Sequence, residues 1–144
     1  MKKQIIITLI FFSVISIILI SNIYKQNNKK IEIKRYNSWF ESYLNKEIYG
    51  TDIATIINKA VEENKKNNIQ KDEKGLYIEN NTNSIKIELN MITVKKTYQM
   101  ETIYNKDISD FVKHFNIILF KCIDIQYHEN TGKVSKIIFE QIDN

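Results

Sequence analysis

The residues able to support nucleophilic or metal chemistry are few: Cys122, His114 and His128 are the whole cysteine and histidine complement of 144 residues. Cys122 and His128 both fall in segment 117–128, whose apolar alternation predicts a strand. Their even spacing puts them on one face together with Asp124 and Gln126, the set that a thiol–imidazole pair with a carboxylate orienter requires. Distance excludes the pairing. Six residues of strand cover about 20 Å, against about 3 Å for a hydrogen bond. Cys122, Asp124, Gln126 and His128 therefore read as an exposed polar face, and Ile117, Leu119, Ile123, Ile125 and Tyr127 as the core side.

Metal and phosphate chemistry fare no better. Structural zinc wants four Cys or His ligands, and three dispersed ones are present. Asn105, Asp107 and Asp110 have the oxygen chemistry of a calcium loop but lack its glycine and terminal glutamate. Asp107 and Asp110 read instead as caps of a short helix presenting Ile108, Phe111, Val112 and Phe115 on one face. Three glycines could hardly build a phosphate loop, and no G-x-S-x-G elbow occurs. The expectation is no catalytic residue, no cofactor and no metal. The alternative is a cell-surface enzyme or enzyme accessory with a site assembled from His114, Asp110, His128 and Asp124.

The elements that would position these residues can be read from spacing. Ser38 and Glu41 form a capping box ahead of Trp39, Phe40, Tyr43 and Leu44, predicting a helix that stops near Tyr49 with Gly50 as its C-terminal cap. Thr51 or Asp52 then caps a second helix. Its Ile53, Ile56, Ile57, Ala60 and Val61 recur at helical spacing, and it dissolves into a solvated end over 62–68. Leu76, Tyr77 and Ile78 suggest a short strand. Segment 84–91 alternates strictly, with Ile85, Ile87, Leu89 and Met91 on the apolar face. A bulge or turn near Asn90 precedes a further strand over 93–103. The long strand 117–128 is followed by a turn at 129–132, with Gly132 at its positive-φ position, and a return strand over 133–142. The sum is an α+β fold: a helical pair packed on a mainly antiparallel sheet of about four or five strands, with one short inserted helix.

Ahead of this domain lies a different kind of sequence. Lys2 and Lys3 are followed by an uncharged run over 4–24, whose Ile5, Phe11, Phe12 and Ile20 represent its apolar character. At about 1.5 Å per helical residue the run covers about 31 Å, close to one hydrocarbon core. The exit at Ser21 and Asn22 offers no small-residue cleavage site, and no cysteine follows the run as a lipid acceptor. A retained transmembrane signal anchor over 1–24 is expected, rather than a cleaved leader or a lipoprotein. Lys25, Lys29, Lys30, Lys34 and Arg35 make a basic juxtamembrane stalk over 25–36, suited to anionic headgroups. The domain over 37–144 is expected on the extracytoplasmic side. Tyr36, Trp39, Phe40 and Tyr43 read as core packing of the first domain helix rather than as an interfacial belt.

Charge separates the two regions and excludes one class of partner. Of 21 basic and 17 acidic residues, segment 1–35 holds seven and one; 14 basic and 16 acidic remain, so 36–144 carries a net charge of −2. The pI of about 9.0 belongs to the stalk, and the domain lacks the basic footprint a nucleic-acid binder needs. A single cysteine rules out an intrachain disulfide. Heavy use of isoleucine (29) and asparagine (17) fits an AT-rich genome rather than a function.

An apolar N-terminal helix leading into a small α+β head is similar in outline to the pilin-like proteins. The run has no glycine before a phenylalanine at its start and no early glutamate. That resemblance implies a pilus-like structural subunit as a further alternative. The leading expectation is a single-pass, membrane-anchored envelope protein whose domain is an interaction or assembly module, working with a protein partner or as a homo-oligomer.

Overall fold

Helical spacing carries the first layer of the fold. In a computed structural model that describes residues 2–142, the elements run α1 (Lys2–Glu41), β1 (Glu47–Tyr49), α2 (Gly50–Lys66), β2 (Lys86–Met91), β3 (Lys96–Gln99), α3 (Met100–Phe115), β4 (Leu119–Tyr127) and β5 (Val134–Gln141). The chain divides into two compact units, Met1–Arg35 and Tyr36–Asn144.

The first unit is helix throughout its described length. The apolar side chains of its 4–24 run, among them Ile5, Phe11, Phe12 and Ile20, are exposed. Within Lys3–Glu41 the helix is long and apolar enough to cross a membrane, a property a signal sequence shares. Three hydroxyls within its apolar run are satisfied internally: Thr8 donates to the Gln4 carbonyl (2.9 Å), Ser13 to Ile10 (2.7 Å) and Ser16 to Phe12 (2.8 Å). Such back-bonding spares these three the need for water. Lys25, Lys29, Lys30, Lys34 and Arg35 follow on the same helix and are exposed.

The second unit is an α+β domain whose mixed, mostly antiparallel sheet has the order β1-β4-β5-β2-β3. β5 follows β4 through the Gly132 turn (φ 68°) and inserts between β4 and β2. It pairs antiparallel with the first and parallel with the second, with Glu88 opposite Ile138. The strict alternation of β2 is realised: Ile85, Ile87 and Leu89 are fully buried and Met91 nearly so, while the other face carries ion pairs from Lys86 and Lys136 to Glu79 and from Lys136 to Glu88. Ile53, Ile56, Ile57, Ala60 and Val61 of α2 join the same core. Burying each isoleucine contributes about 1.5–3 kcal/mol.

Several expectations from sequence are corrected. Ser38 does not cap a helix, because α1 continues through it to Glu41. Phe40 is nevertheless fully buried, in edge-to-face contact with Trp39 (4.7 Å) and Tyr36 (5.2 Å), as core packing requires. The stretch before Gly50 is not helix but β1, drawn into extended form by pairing with β4 through Ile48 and Phe120. Gly50 therefore opens α2 instead of ending a helix, and Asp52 reaches back to accept the Tyr49 N–H (3.2 Å). The end of α2 is not wholly solvated, since Asn64 is fully buried. Tyr77 makes one isolated bridge to Lys71 rather than a strand. The strand expected over 93–103 is only β3, and α3 begins at Met100.

The faces of β4 also depart from expectation. Phe120 and Cys122 are fully buried and His128 nearly so, whereas Ile117, Ile123 and Tyr127 are exposed. At the start of the strand the even-numbered residues therefore face inward. A register shift between Cys122 and Asp124 leaves Ile123 unpaired and returns Ile125 to the core side, and a second shift lies between Gln126 and Tyr127. Such irregularities change which residues face inward along one strand, which simple alternation cannot foresee.

Candidate binding cleft

The strand pair β2–β3 and one broken helix define an apolar depression in the domain. β2 and β3 are joined by a tight turn over 92–95, with Lys95 at φ 49°. Their pairing sets Leu89 opposite Tyr98 and Met91 opposite Lys96. α3 then returns across this edge of the sheet. Leu89, Met91, Tyr98, Ile103, Phe111 and Phe115 form the apolar lining of a cleft of about 350 Å³, with Thr102, Lys106, Asp107, Asp110 and His114 around it. The wall is stiffened by Phe111 stacked on Phe115 (centroids 4.8 Å apart, 26° between planes), and both rings meet Phe120.

The helix breaks where it borders the cleft. Asp107 has φ 99° and ψ 107°, outside helical geometry and costly for a residue with a Cβ. Its Oδ1 accepts the Ser109 N–H at 2.9 Å, so Asp107 caps the second part of α3, as its sequence position suggested. That hydrogen bond holds the Asp107 carboxyl below its ordinary range. Asp110 does not cap. Its carboxylate pairs with Lys113 Nζ at 2.9 Å, and this bond holds the lysine's proton more firmly than usual.

The dispersed residues considered for catalysis are divided by the fold. His114 and Asp110 both line the cleft, yet the imidazole Nδ1–H donates to the Asp110 backbone carbonyl (2.7 Å), not to its carboxylate. A carbonyl can only accept, so Nδ1 carries a proton in this bond. His128 is buried elsewhere, donating Nε2–H to the Ser84 carbonyl at 2.6 Å beside a separate polar cleft of about 320 Å³ that also includes Glu79, Gln126 and Lys136. Asp124 lines neither cleft and accepts from Gln126 (2.9 Å). Cys122 has its Sγ–H directed at the Asp124 carbonyl (3.8 Å), and burial pushes its thiol up to about 11. Among the described residues no group of three His, Cys, Asp or Glu side chains is placed to hold a metal ion.

No family model, curated protein or solved structure matches this chain. The cleft must therefore be interpreted from its own chemistry. Sequence reasoning missed it because its walls come from three elements, one of them assigned as strand. Met100, Ile103 and Phe111, all buried, stand at helical spacing; that periodicity was the available signal.

Proposed function

We propose that this chain is a single-pass, membrane-anchored binding protein of a bacterial envelope. Its α+β domain, held on the extracytoplasmic side, serves as an interaction module. The observation that carries this reading is the solvent-open apolar cleft beside β3 and α3, on a chain with a helix able to span a bilayer. Apolar clefts with a few polar groups at the margin are the usual form of binding sites. Binding is favoured over catalysis because neither imidazole is hydrogen-bonded to a carboxylate among the described residues, and Cys122 is buried as a thiol. The exposed basic collar would meet anionic headgroups, each charge adding about 1 kcal/mol.

The test places a photoreactive amino acid at Thr102, in the cleft, and another at Asn130, in the distant hairpin turn, of the full chain in cells. The expected result is retention in the membrane after carbonate extraction, loss of the domain to externally added protease, and discrete protein adducts from position 102 only. Release by carbonate, protection from protease, or equal adducts from both positions would overturn the reading.

A further inference from the structure

We infer that the cleft receives an extended, acidic segment of a partner protein, which adds as a further strand along β3. This deepens the binding-module reading and rests on it. Strand addition needs a free sheet edge, a neighbouring pocket for alternate side chains, and a charge that selects the incoming chain. All three occur together here.

The free edge is β3, the last strand in the sheet order, paired to β2 alone. One side of the backbone over Lys96–Gln99 thus offers N–H and C=O groups to a newcomer. The pocket is the cleft between that edge and α3. In the β2–β3 ladder Lys96 and Tyr98 lie opposite Met91 and Leu89, the inward residues, so they face the helix side. A strand laid beside β3 would point every second side chain the same way, toward Met91, Tyr98 and Phe111.

The charge is positive. Lys95, Lys96 and Lys106 are exposed and make no ion pair among the described residues; the Lys96 ammonium lies over the Tyr98 ring at 4.8 Å. Of the two acids in the lining, Asp110 is paired with Lys113, while Asp107 keeps its negative charge on the neutral Ser109 N–H; against Lys95, Lys96 and Lys106 the edge stays net positive. The uncompensated charge along this edge therefore selects carboxylates. It also opposes pairing with a second copy of the chain, which would bring two sets of lysines together. A lipid surface is a poorer occupant, because it offers no backbone N–H and C=O groups to pair with the free edge.

The experiment uses the full chain in nanodiscs and a blocked, fluorescent octapeptide of alternating glutamate and valine. Anisotropy reads binding, and amide hydrogen exchange reads β3. Binding should slow exchange over Lys96–Gln99 by about tenfold or more. It should be abolished by N-methylating alternate peptide bonds of the probe. The double substitution Lys96→Glu, Lys106→Glu should weaken it about tenfold and reverse the preference toward a lysine–valine peptide. Four results would overturn strand addition: no binding, equal binding of both peptides, binding without protection of β3, or indifference to N-methylation. Protection, without peptide, of the β3 amides that point away from β2 would also overturn it. Where protection depends on phosphatidylglycerol in the nanodisc it assigns a lipid surface; where it rises with protein concentration, a second copy. If adducts form from position 102 in cells while the peptide arms fail, the binding role stands and strand addition falls; if both fail, both readings fall.

Discussion

Asn64 and Ile85 hold each other through one side-chain amide. Asn64 Nδ2–H donates to the Ile85 carbonyl at 2.8 Å, and the Ile85 N–H donates to Asn64 Oδ1 at 2.9 Å, with both residues fully buried. This pair fastens the last turns of α2 to the backbone that leads into β2, the strand that floors the cleft. Replacing Asn64 by Ala strands a buried N–H and a buried C=O and should lower stability by about 2–4 kcal/mol. Asn64→Asp keeps an acceptor for the Ile85 N–H but sets a carboxylate against its carbonyl, and should also destabilise. Urea unfolding of both variants checks this; wild-type midpoints would show that the latch contributes little.

Gly50 is required by close approach rather than by its φ. A Cβ there would overlap the carbonyl oxygen of Phe115, at the end of α3. Gly50→Ala should cost about 1–3 kcal/mol through forced displacement of that helix end. Because Phe115 lines the cleft, adducts from position 102 should fall as well. Gly132→Ala is the contrast. It meets no atom within 4 Å but must keep φ 68°, so its cost should be only about 1 kcal/mol, with cleft adducts unchanged. Thermal unfolding with crosslinking separates the two effects.

The Cys122 thiol should be silent in the folded protein. Its side chain is fully buried, and burial raises its pKa from 9.0 to about 11. At pH 8 the thiolate, the reactive form, is scarcer than in the unfolded chain by about two orders of magnitude. Iodoacetamide labelling should therefore be slow until urea unfolds the domain. The linkage has a definite sign: the folded state favours the protonated thiol. That contribution is complete below pH 9 and is lost as pH rises from 9 toward 11. Cys122→Ala should remove this alkaline dependence, visible in unfolding midpoints measured across that window.

Asp107 should give the opposite dependence. Its carboxyl titrates below the ordinary 3.8 because the ionised form accepts the Ser109 N–H. The stabilisation is present above pH 3.8 and is lost as pH falls through the depressed value. Asp107→Asn should thus unfold at a lower temperature than wild type at pH 7, and the gap should close in acid. Asp107→Gly relieves the backbone strain at φ 99° while removing the cap, so it should fall between Asp107→Asn and Asp107→Ala in thermal midpoint at pH 7.

Local chemistry was legible wherever one segment decided its own structure. The apolar face of α2, the alternation of 84–91 and the turn at Gly132 all follow from period and residue type. The capping role of Asp107 followed from its place before Ile108 and Phe111. The reading failed where partners lay far away in sequence. Residues 47–49 are extended because β4 pairs with them, although their neighbours suggest helix. The polar end of α2 conceals a buried Asn64 because Ile85 supplies its two hydrogen bonds. The inward face of β4 changes because an unpaired Ile123 shifts the register against β5.

The cleft shows the same division. Phe111 and Phe115 were evident as one helical face, and the strand 84–91 as an apolar one. That Tyr98 and Lys106 border the space between them depends on α3 beginning at Met100 and crossing the edge of the sheet. By itself the sequence determined the α+β class, a bilayer-length apolar helix, a basic collar and a mildly acidic domain, because each depends on composition or on contacts within a few residues. Tertiary structure alone decided the strand order, the burial of Cys122 and His128, and the pairing of an apolar cleft with a lysine-lined free edge. Those features are set by which distant backbones pair and where a bulge falls, and neither is encoded in local periodicity.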